Sequence, residues 1–219
     1  MKPVKSGNLE KSISPLESLL RGPGYFVTGT GTGVGKTWVA CALARLACKR
    51  GWRVGVFKPA ESGDGGDAAA LKKASACPLS LGTLRPYAFK RPLAPDRAAE
   101  LEGRRVSWPV LRRAFKTVSE TSDFVLVEGA GGLLVPYAPG LDAAGLAVRF
   151  GLPLLIVAAR GLGTINHSLL TLEAARRRGL KVAALVLSAP SFKGDLSVAS
   201  NSKQIQALGR VRVLDLGGA

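Results

Sequence analysis

Cysteine is scarce in this sequence, with three residues in a chain of 219: Cys41, Cys48 and Cys77. No two of them form a C-x-x-C pair, so the usual spacing of a thiolate metal site is missing. Cys41 and Cys48 fall on one predicted helix, where we expect them to serve as small apolar packing residues. The low, odd count argues against a disulfide framework and fits a reducing compartment.

Acidic residues are also few. The 15 Asp and Glu stand against 31 Lys and Arg, which gives a formal net charge of +16 and a pI near 10.4. Such a balance suits nucleic acids, membrane surfaces or anionic small molecules. The arginines are scattered, however, and the cluster "RRRG" at 176–179 ends a predicted helix, where cations complement the helix dipole. We therefore interpret most of the excess as solvated surface and expect no nucleic-acid partner.

Long apolar runs are missing as well. No stretch approaches the roughly 20 apolar residues that a membrane span needs, so we expect no membrane partner. Residues 1–22 lack the apolar core of a signal peptide, and we expect a cytoplasmic protein. The length suits a single α/β domain. We place that domain at 23–219, after a poorly ordered N-terminal extension at 1–22.

Short apolar strands alternate with helix-forming segments along the chain. Two of the strands, "FVLVEG" and "PLLIVAA", are continuously apolar, as expected where both faces of a sheet are covered. The alternation predicts an α/β fold: a doubly wound, mostly parallel sheet with helices on both faces. Strands are predicted at 25–29, 53–58, 123–128, 153–158, 182–187 and 211–214, and helices at 36–50, 67–75, 108–119, 141–150, 165–178 and 196–208. The Pro- and Arg-rich stretch 76–107 is the least regular, and we expect a substrate-facing insertion there.

Residues 29–38 read "GTGTGVGKTW" and lie between a predicted strand and a predicted helix. The usual phosphate-binding loop, G-x-x-x-x-G-K-[ST], needs glycine at position 30, which is Thr30; starting from Gly29 makes the loop one residue longer. Strand, glycine-rich turn and helix are nevertheless the context that such a loop requires. Backbone N–H groups and the helix N-terminus attract phosphates, and Lys36 adds a full positive charge. We interpret the segment as a P-loop, with the Thr37 hydroxyl offered to Mg²⁺.

Ligands of parallel sheets bind beyond the carboxyl ends of the strands, and two charged residues are predicted there. Lys58 ends "VGVFK" and Glu128 ends "FVLVE"; a buried carboxylate needs a partner or a metal. Asp67 opens the following helix, where an N-cap is the plainer role for it alone, and Asp64 is a rival for either role. Thr37, Asp67 and Glu128 together predict an Mg²⁺ site, because hard oxygen ligands suit that ion.

Four motifs, "VTGTGTGVGKT", "FKPAESG", "VLVEGAGG" and "LGTINHSLLT", resemble in order and spacing those of the dethiobiotin synthetase family, over about residues 24–190. That family is P-loop NTPase-like and uses a loop of the longer G-x5-G-K-T form. By resemblance, the loop from Gly29 to Thr37 is therefore an intact variant. The resemblance implies ATP- and Mg²⁺-dependent carboxylation and ring closure of 7,8-diaminononanoate with CO₂, giving dethiobiotin, ADP and phosphate in biotin biosynthesis.

The resemblance also implies roles for individual residues. One amine of the substrate forms a carbamate, the carbamate attacks the γ-phosphate, and the second amine closes the ring. The implied catalytic residues are Lys36, Lys58 and Thr32, of which the two lysines offset developing negative charge. The implied substrate contacts at the reacting end are Ser62 and Lys58. The implied nucleotide contacts are Gly33, Val34, Gly35, Lys36, Thr37, Trp38, Glu128, Gly129, Ala130 and Gly131, and the implied metal ligands are Thr37, Asp67 and Glu128.

The motif "GLGTINHSLL" places glycines before a helix that begins near Thr164. Free N–H groups and the dipole at such a start attract an anion, here the substrate's remote carboxylate, although an ordinary glycine-entered helix is an equal alternative. By resemblance, Gly163, Thr164 and Asn166 bind substrate in the neighbouring subunit of a homodimer with shared active sites. The single histidine, His167, lies at this helix start, and we assign it a capping or packing role rather than that of a general base.

The sequence departs from the family pattern in places. Gly31 or Gly33 replaces an acidic residue common in the family's loop, and Ser188-Ala189-Pro190 stands where an adenine-binding Asn is frequent. The C-terminal tail also lacks the family's proline-containing nucleotide contact. Purine selectivity therefore stays open.

Two other families share features of this sequence. ParA/MinD-like ATPase switches, which bind DNA or membranes, have a similar P-loop and would suit the basic charge. They carry a lysine five residues before the P-loop lysine, whereas position 31 is glycine. Cobyrinic acid amidating enzymes share the ATP-binding fold but need a glutaminase domain with a nucleophilic cysteine, and we expect none in the few residues after 190.

Overall fold

A computed structural model of the chain describes residues 13–188 and 195–217. Within these residues, six parallel strands form a central sheet: β1 Gly24–Gly29, β2 Val54–Phe57, β5 Phe124–Gly132, β8 Leu154–Ala158, β9 Val182–Leu187 and β10 Val213–Asp215. Two small pairs lie outside this sheet: β3 Ala60–Ser62 with β4 Tyr87–Phe89, and β6 Pro136–Ala138 with β7 Leu141–Asp142. The helices are α1 Lys36–Lys49, α2 Asp67–Ser75, α3 Leu81–Leu84, α4 Pro95–Leu101, α5 Trp108–Glu120, α6 Ala143–Phe150, α7 Thr164–Arg177 and α8 Val198–Gly209.

The strand order of the central sheet is β10-β9-β8-β1-β5-β2. The chain first runs from β1 to the far edge at β2, returns to β5, and then builds the other half through β8, β9 and β10. Because crossovers between parallel strands are right-handed, reversing the direction of travel moves the connecting helices to the opposite face. The fold is therefore the predicted doubly wound α/β architecture. Its order of strands reverses at β1, where such folds bind ligands.

All six strands and six helices predicted from periodicity are present, with small shifts at their ends. Continuous burial of β1, β2 and β8 explains their apolar sequences, since both faces of these strands are covered. The elements that periodicity missed are short: strands β3, β4, β6 and β7, and helices α3 and α4. Three of them lie in the stretch 76–107, which is therefore more regular than its composition indicated.

The N-terminal part of the chain differs from the prediction. A 3₁₀ helix spans Ser14–Leu19, and its Leu16 is fully buried in the main core together with Leu19 and Leu20. The Tyr25 hydroxyl donates a hydrogen bond to the Leu19 carbonyl at 2.6 Å, which fixes the end of this segment. The expectation of a loose extension is thus wrong for residues 13–20, because leucines at helical spacing pack against the domain; residues 1–12 lie outside the described ones.

The first helix carries the P-loop residues into the core. Along α1, the apolar side chains of Ala40, Leu43, Ala44 and Ala47 are fully buried, and because three of the four are alanines the helix lies close against the sheet. Cys41 is buried among them, as expected of a packing residue. Close packing fixes the N-terminus of α1 at the end of β1. Over the described residues, the longest helices are too short and too polar to cross a bilayer.

Candidate active site

A cavity of about 770 Å³ opens beyond the carboxyl ends of β1, β2 and β5. The P-loop follows β1, Lys58 follows β2, and Glu128 lies within β5. Of the seventeen predicted site residues, twelve line this cavity: Thr32, Gly33, Gly35, Lys36, Thr37, Trp38, Lys58, Ser62, Asp67, Glu128, Ala130 and Gly131. The structure therefore gathers most of the predicted residues of one chain around a single space.

The first glycine of the P-loop is required by close approach of the loop to itself. A Cβ atom at Gly29 would lie 2.7 Å from the Gly31 carbonyl oxygen and 3.1 Å from the Lys36 ammonium nitrogen. At the other end of the loop, Gly35 precedes α1 with φ of 93°, a left-handed conformation that favours glycine. Gly29 therefore takes the place of the first glycine of the usual phosphate-binding loop, although this loop is one residue longer.

Lys36 is buried under its own loop. It is only 7% exposed, and its Nζ donates a hydrogen bond to the Gly31 carbonyl at 2.8 Å. Burial, with repulsion from Lys58, lowers the pKa of Lys36 to about 8. The hydrogen bond of this desolvated cation goes to a neutral carbonyl, and attraction to Glu128 and Asp67 offsets its charge only in part. An anion in the cavity would therefore stabilise the ammonium.

Lys58, Thr37 and two carboxylates form one hydrogen-bonded cluster. Lys58 Nζ lies 2.8 Å from Asp67 Oδ2 and 2.5 Å from Glu128 Oε1. The Thr37 hydroxyl lies 2.8 Å from Asp67 Oδ1 and 3.0 Å from Glu128 Oε1. Side chains from four different segments of the chain therefore meet at the cavity floor.

Burial and mutual attraction set the pKa values of the charged groups in this cluster. Burial opposes the charge of Lys58, but attraction to Glu128 and Asp67 outweighs it and holds the pKa of the ammonium above its usual value. Burial likewise opposes ionisation of Asp67, yet Lys58 and Thr37 keep the pKa of that carboxyl low. Burial raises the pKa of Glu128, which is the deepest of the three. The second oxygen of Glu128, Oε2, is buried without a hydrogen-bond partner among the described residues.

The structure does not support an N-cap role for Asp67. The N-cap of α2 is Gly66, in a left-handed conformation, and no side chain of the cap accepts a hydrogen bond. Asp67 is the first residue of the helix, and its carboxylate turns instead to Thr37 and Lys58. The rival residue Asp64 is exposed in the preceding loop. Only one of the two candidate aspartates therefore reaches the cluster.

Part of the stretch 76–107 lines the same cavity. Strand β4 pairs with β3, and Pro92, Leu93, Ala94 and Pro95 form one wall. The Ser62 hydroxyl, predicted to contact substrate, donates a hydrogen bond to the Leu93 carbonyl at 2.7 Å. This stretch faces the cavity, as its prediction as a substrate-facing insertion requires.

Five predicted residues do not line this cavity. Val34 is buried in the core, and a Cβ at Gly129 would lie 3.1 Å from the Phe26 ring, so both pack against the domain. Gly163, Thr164 and Asn166 lie at the start of α7. Gly163 is the N-cap with φ of 89°, Thr164 is buried with its hydroxyl bonded to the Ala159 carbonyl, and Asn166 is exposed. Ser188 is buried after β9, while Ala189 and Pro190 lie outside the described residues.

Two residues near the cavity were missed by sequence reasoning. Tyr137 is fully buried, and its hydroxyl accepts a hydrogen bond from the Ala130 N–H at 2.7 Å, which anchors the glycine-rich loop after Glu128. Glu61 is 4% exposed and lines the cavity. Glu61 had a signal, because a carboxylate flanked by Ala60 and Ser62 in "KPAESG" is unusual in a buried strand. Tyr137 had none, since only the fold places it against Ala130.

Several known proteins are similar to this chain over most of its length. A sequence model of the AAA domain family matches residues 23–217. The ATP-dependent dethiobiotin synthetase BioD of Anaeromyxobacter sp. (strain K) is 48% identical over 189 residues, covering 84% of this chain and 85% of that protein. The proteins of the same name from Endomicrobium trichonymphae and Bacillus licheniformis are each 41% identical, covering 89% and 84% of this chain and 92% and 80% of their own lengths.

Solved structures show the same fold at low identity. The kinase domain of Escherichia coli tyrosine kinase ETK superposes with a TM-score of 0.54 at 18% identity, covering 83% of this chain and 73% of that one. Chloroplast FtsY from Physcomitrella patens gives 0.55 at 18% identity, with coverages of 97% and 67%.

Proposed function

The chain belongs to the dethiobiotin synthetase family, and we propose that it converts 7,8-diaminononanoate and CO₂ into dethiobiotin with hydrolysis of ATP to ADP and phosphate. The observation that carries this proposal is the meeting of the P-loop, Lys58, Ser62 and Glu128 at one cavity. This arrangement joins a phosphate-binding loop to a second lysine and a hydroxyl, beside space for a small substrate. The family's biosynthetic role places the reaction in biotin biosynthesis.

The P-loop residues bind and orient the nucleotide in this proposal. The loop from Gly29 to Gly35 presents backbone N–H groups to the phosphates, and Lys36 turns from the Gly31 carbonyl to the β- and γ-phosphates. Phosphoryl transfer needs positioning and charge neutralisation more than covalent help from the protein. The buried ammonium provides both, because water does not screen it.

The reaction then proceeds in two displacements. An amine of the substrate adds to CO₂ and loses a proton, giving a carbamate. A carbamate oxygen attacks the γ-phosphorus and ADP leaves, which forms a carbamic-phosphoric anhydride. The second amine attacks the carbonyl carbon and phosphate leaves, closing the ureido ring. Lys58, Thr32 and Ser62 line the space where the carbamate would lie, and the Lys58 ammonium stabilises its negative charge.

The same cluster fits Mg²⁺. A hydroxyl and two carboxylates, from Thr37, Asp67 and Glu128, are hard oxygen donors, and Mg²⁺ is usually held by one or two carboxylates with substrate phosphates and water. The unpartnered Oε2 of Glu128 supports this reading, since a buried carboxylate oxygen needs a cation or a donor. No group of three or more His, Cys, Asp or Glu side chains gathers anywhere in 13–188 and 195–217, so the protein's share of this site is two carboxylates and a hydroxyl. When bound, Mg²⁺ supplies charge neutralisation at the phosphates.

The start of α7 is proposed to act in a second subunit. Gly163, Thr164 and Asn166 lie at the start of a fourteen-residue helix, where the first N–H groups have no acceptor within the helix and that of Thr164 donates to the Gly161 carbonyl. All three residues lie outside the wall of their own chain's cavity. A symmetric homodimer in which this start meets the partner's cavity would give the substrate carboxylate an anion site. The cytoplasmic location and the preference for adenine remain predictions.

ATP hydrolysis measured with and without diaminononanoate and bicarbonate tests the proposed function. We expect turnover that depends on both, with dethiobiotin as product. Hydrolysis that ignores the diamine and rises with DNA or anionic vesicles would support the ParA/MinD alternative instead. That alternative is not favoured, because residue 31 is glycine where those ATPases carry a lysine. In addition, the dethiobiotin synthetases reported above align with this chain over most of their length.

A further inference from the structure

Glu61 lines the cavity but has no role in the proposed reaction, and its contacts join three parts of the candidate site. It lies in β3 between Ala60 and Ser62, and its side chain is 3% exposed. Its Oε1 accepts a hydrogen bond from the Ala68 N–H at 3.2 Å, and its Oε2 is paired with the Arg85 guanidinium. Glutamate is rarely buried this deeply unless its carboxylate is paired, so these two contacts hold Glu61 in place.

The hydrogen bond from Ala68 supplies what helix α2 lacks. The loop before α2 contains Gly63, Gly65 and Gly66, all with positive φ, and Gly66 offers no side chain as an N-cap. Such a loop alone fixes the helix start poorly, because glycine is the least restricted residue. Glu61 accepts from the second residue of the helix, as a capping side chain does, but from a neighbouring strand.

Arg85 fixes the position of Glu61 in turn. Arg85 follows α3, and the adjacent backbone ties the same region to the β2–β3 connection, since the Lys58 N–H donates to the Leu84 carbonyl at 2.8 Å. Glu61 is also paired with Ala88 in the β3–β4 register. The carboxylate that holds the start of α2 is therefore anchored on both its backbone and its side chain.

We propose that Glu61, held by Arg85, is a positioning residue that sets the place of Asp67 in the metal site. Asp67 directly precedes Ala68, so the hydrogen bond to Glu61 fixes the backbone one residue from the carboxylate that meets Thr37 and Lys58. This inference rests on the proposed Mg²⁺ site. Residues that orient a metal ligand typically change metal affinity by 10- to 100-fold when they are lost.

The test is a titration of the full chain with Mn²⁺ in place of Mg²⁺ in the presence of ADP, with free Mn²⁺ followed by EPR. Glu61→Met keeps the length of the side chain but removes both acceptors, and we expect Mn²⁺ affinity to fall about tenfold. Glu61→Gln keeps an acceptor for Ala68, and we expect a change of less than about threefold on the same basis. Equal affinities in Glu61→Met and the unmodified protein would overturn the proposal.

Asp142 provides a matched control. It accepts from the Gly145 N–H at 2.7 Å at the start of α6 and pairs with Arg178, so it combines a cap and an arginine pair away from the cavity wall. Asp142→Leu is expected to lower thermal stability without changing Mn²⁺ affinity. If Glu61→Met behaves in the same way, its role is structural only. If it raises the KM for the diamine with Mn²⁺ affinity unchanged, Glu61 contacts substrate. Either result contradicts the proposal.

Two further variants separate the possible failures. Asp67→Asn in the same titration tests the metal site itself: unchanged Mn²⁺ affinity there overturns both the site and this inference. Weakening in Asp67→Asn but not in Glu61→Met overturns the inference alone. Should Glu61→Met not fold, Arg85→Met retains the cap but removes its anchor. A loss of about threefold or more in Mn²⁺ affinity then supports the proposal, and no loss contradicts it.

Discussion

The Lys58 ammonium lies 2.5 Å from Oε1 of Glu128, with side chains 4% and 1% exposed, respectively. A pair this deeply buried gains from mutual attraction only if both charges remain, because either alone would be strongly desolvated. Lys58 directly follows β2 and Glu128 lies in β5, and these strands are neighbours in the sheet. The pair therefore couples the stability of the sheet end to the chemistry of the cavity.

Lys58→Met is expected to affect both properties. Loss of the ammonium leaves Glu128 buried without its cation, which costs about 3 kcal/mol of unfolding free energy. Turnover should fall much further than ATP affinity, because the proposed role of Lys58 is at the carbamate rather than at the P-loop. Chemical denaturation, ATP binding and steady-state kinetics measure the three effects.

The control is the double variant Lys58→Met/Glu128→Gln. Removing both charges should restore part of the lost stability but none of the turnover. If Lys58→Met lost stability and kept its activity, the proposed catalytic role of Lys58 would be wrong and the pair would be structural.

Lys36→Ala is expected to abolish nearly all turnover while the chain stays folded, since the ammonium makes one bond to the Gly31 carbonyl. The matched control is Lys72→Ala, which also removes a lysine bonded to a carbonyl, that of Leu79, outside the cavity wall. A Lys36→Ala rate above a tenth of normal would limit the contribution of this charge to less than about 1.4 kcal/mol.

Asp67→Ala is expected to raise the Mg²⁺ concentration needed for half-maximal activity by tenfold or more, because a hard oxygen ligand is lost. Asp64→Ala is the control, since Asp64 is exposed in the same loop. If Asp67 acted as a cap, its loss would lower stability by about 1 kcal/mol with an unchanged Mg²⁺ requirement. Activity measured across a Mg²⁺ series, together with denaturation, distinguishes these results.

Much of the site could be predicted because parallel strands bring their ends together. Lys58 and Glu128 were each identified as charged residues at the end of an apolar run, and the sheet order makes those strands neighbours. The P-loop was recognisable from its glycines and flanks even with Thr30 at the usual glycine position. In both cases, the physical requirement is local in sequence or follows directly from the sheet.

Other contacts depend on packing that no local pattern reveals. Tyr137 reaches Ala130 only because the chain turns back after β5, where the Val135 N–H donates to the Gly132 carbonyl. Glu61 reaches Ala68 across a loop of glycines. The apolar pattern around Leu16 is too short to distinguish an N-terminal segment that packs against the domain from one that does not. The sequence alone does not identify the partners of these residues, because tertiary packing brings them together.

His167→Gln is expected to keep most of the activity. His167 is exposed on α7, and its backbone N–H, rather than its ring, makes the helical bond to the Gly163 carbonyl. General acid–base catalysis contributes typically 10²–10⁴-fold, so a loss approaching a hundredfold in the steady-state rate would require a catalytic role for the ring.

The start of α7 provides the test of shared active sites. Gly163 has φ of 89°, which proline cannot adopt, so Gly163→Pro with Asn166→Ala should disrupt the proposed anion site. A chain with this change and a chain with Lys36→Ala should each be inactive alone. If the sites are built from both subunits, mixing the two should produce dimers in which one site combines an intact P-loop with an intact helix start. Activity should then rise toward a quarter of normal for an equal mixture, because about half the dimers are mixed and each has one of two sites working.

Asn166→Asp, which places a negative charge on an exposed residue, replaces the Gly163→Pro/Asn166→Ala chain if that variant does not fold. Native mass spectrometry of a mass-labelled mixture establishes that subunits have exchanged. Exchange without recovery of activity would contradict the shared site and place the substrate carboxylate within a single chain.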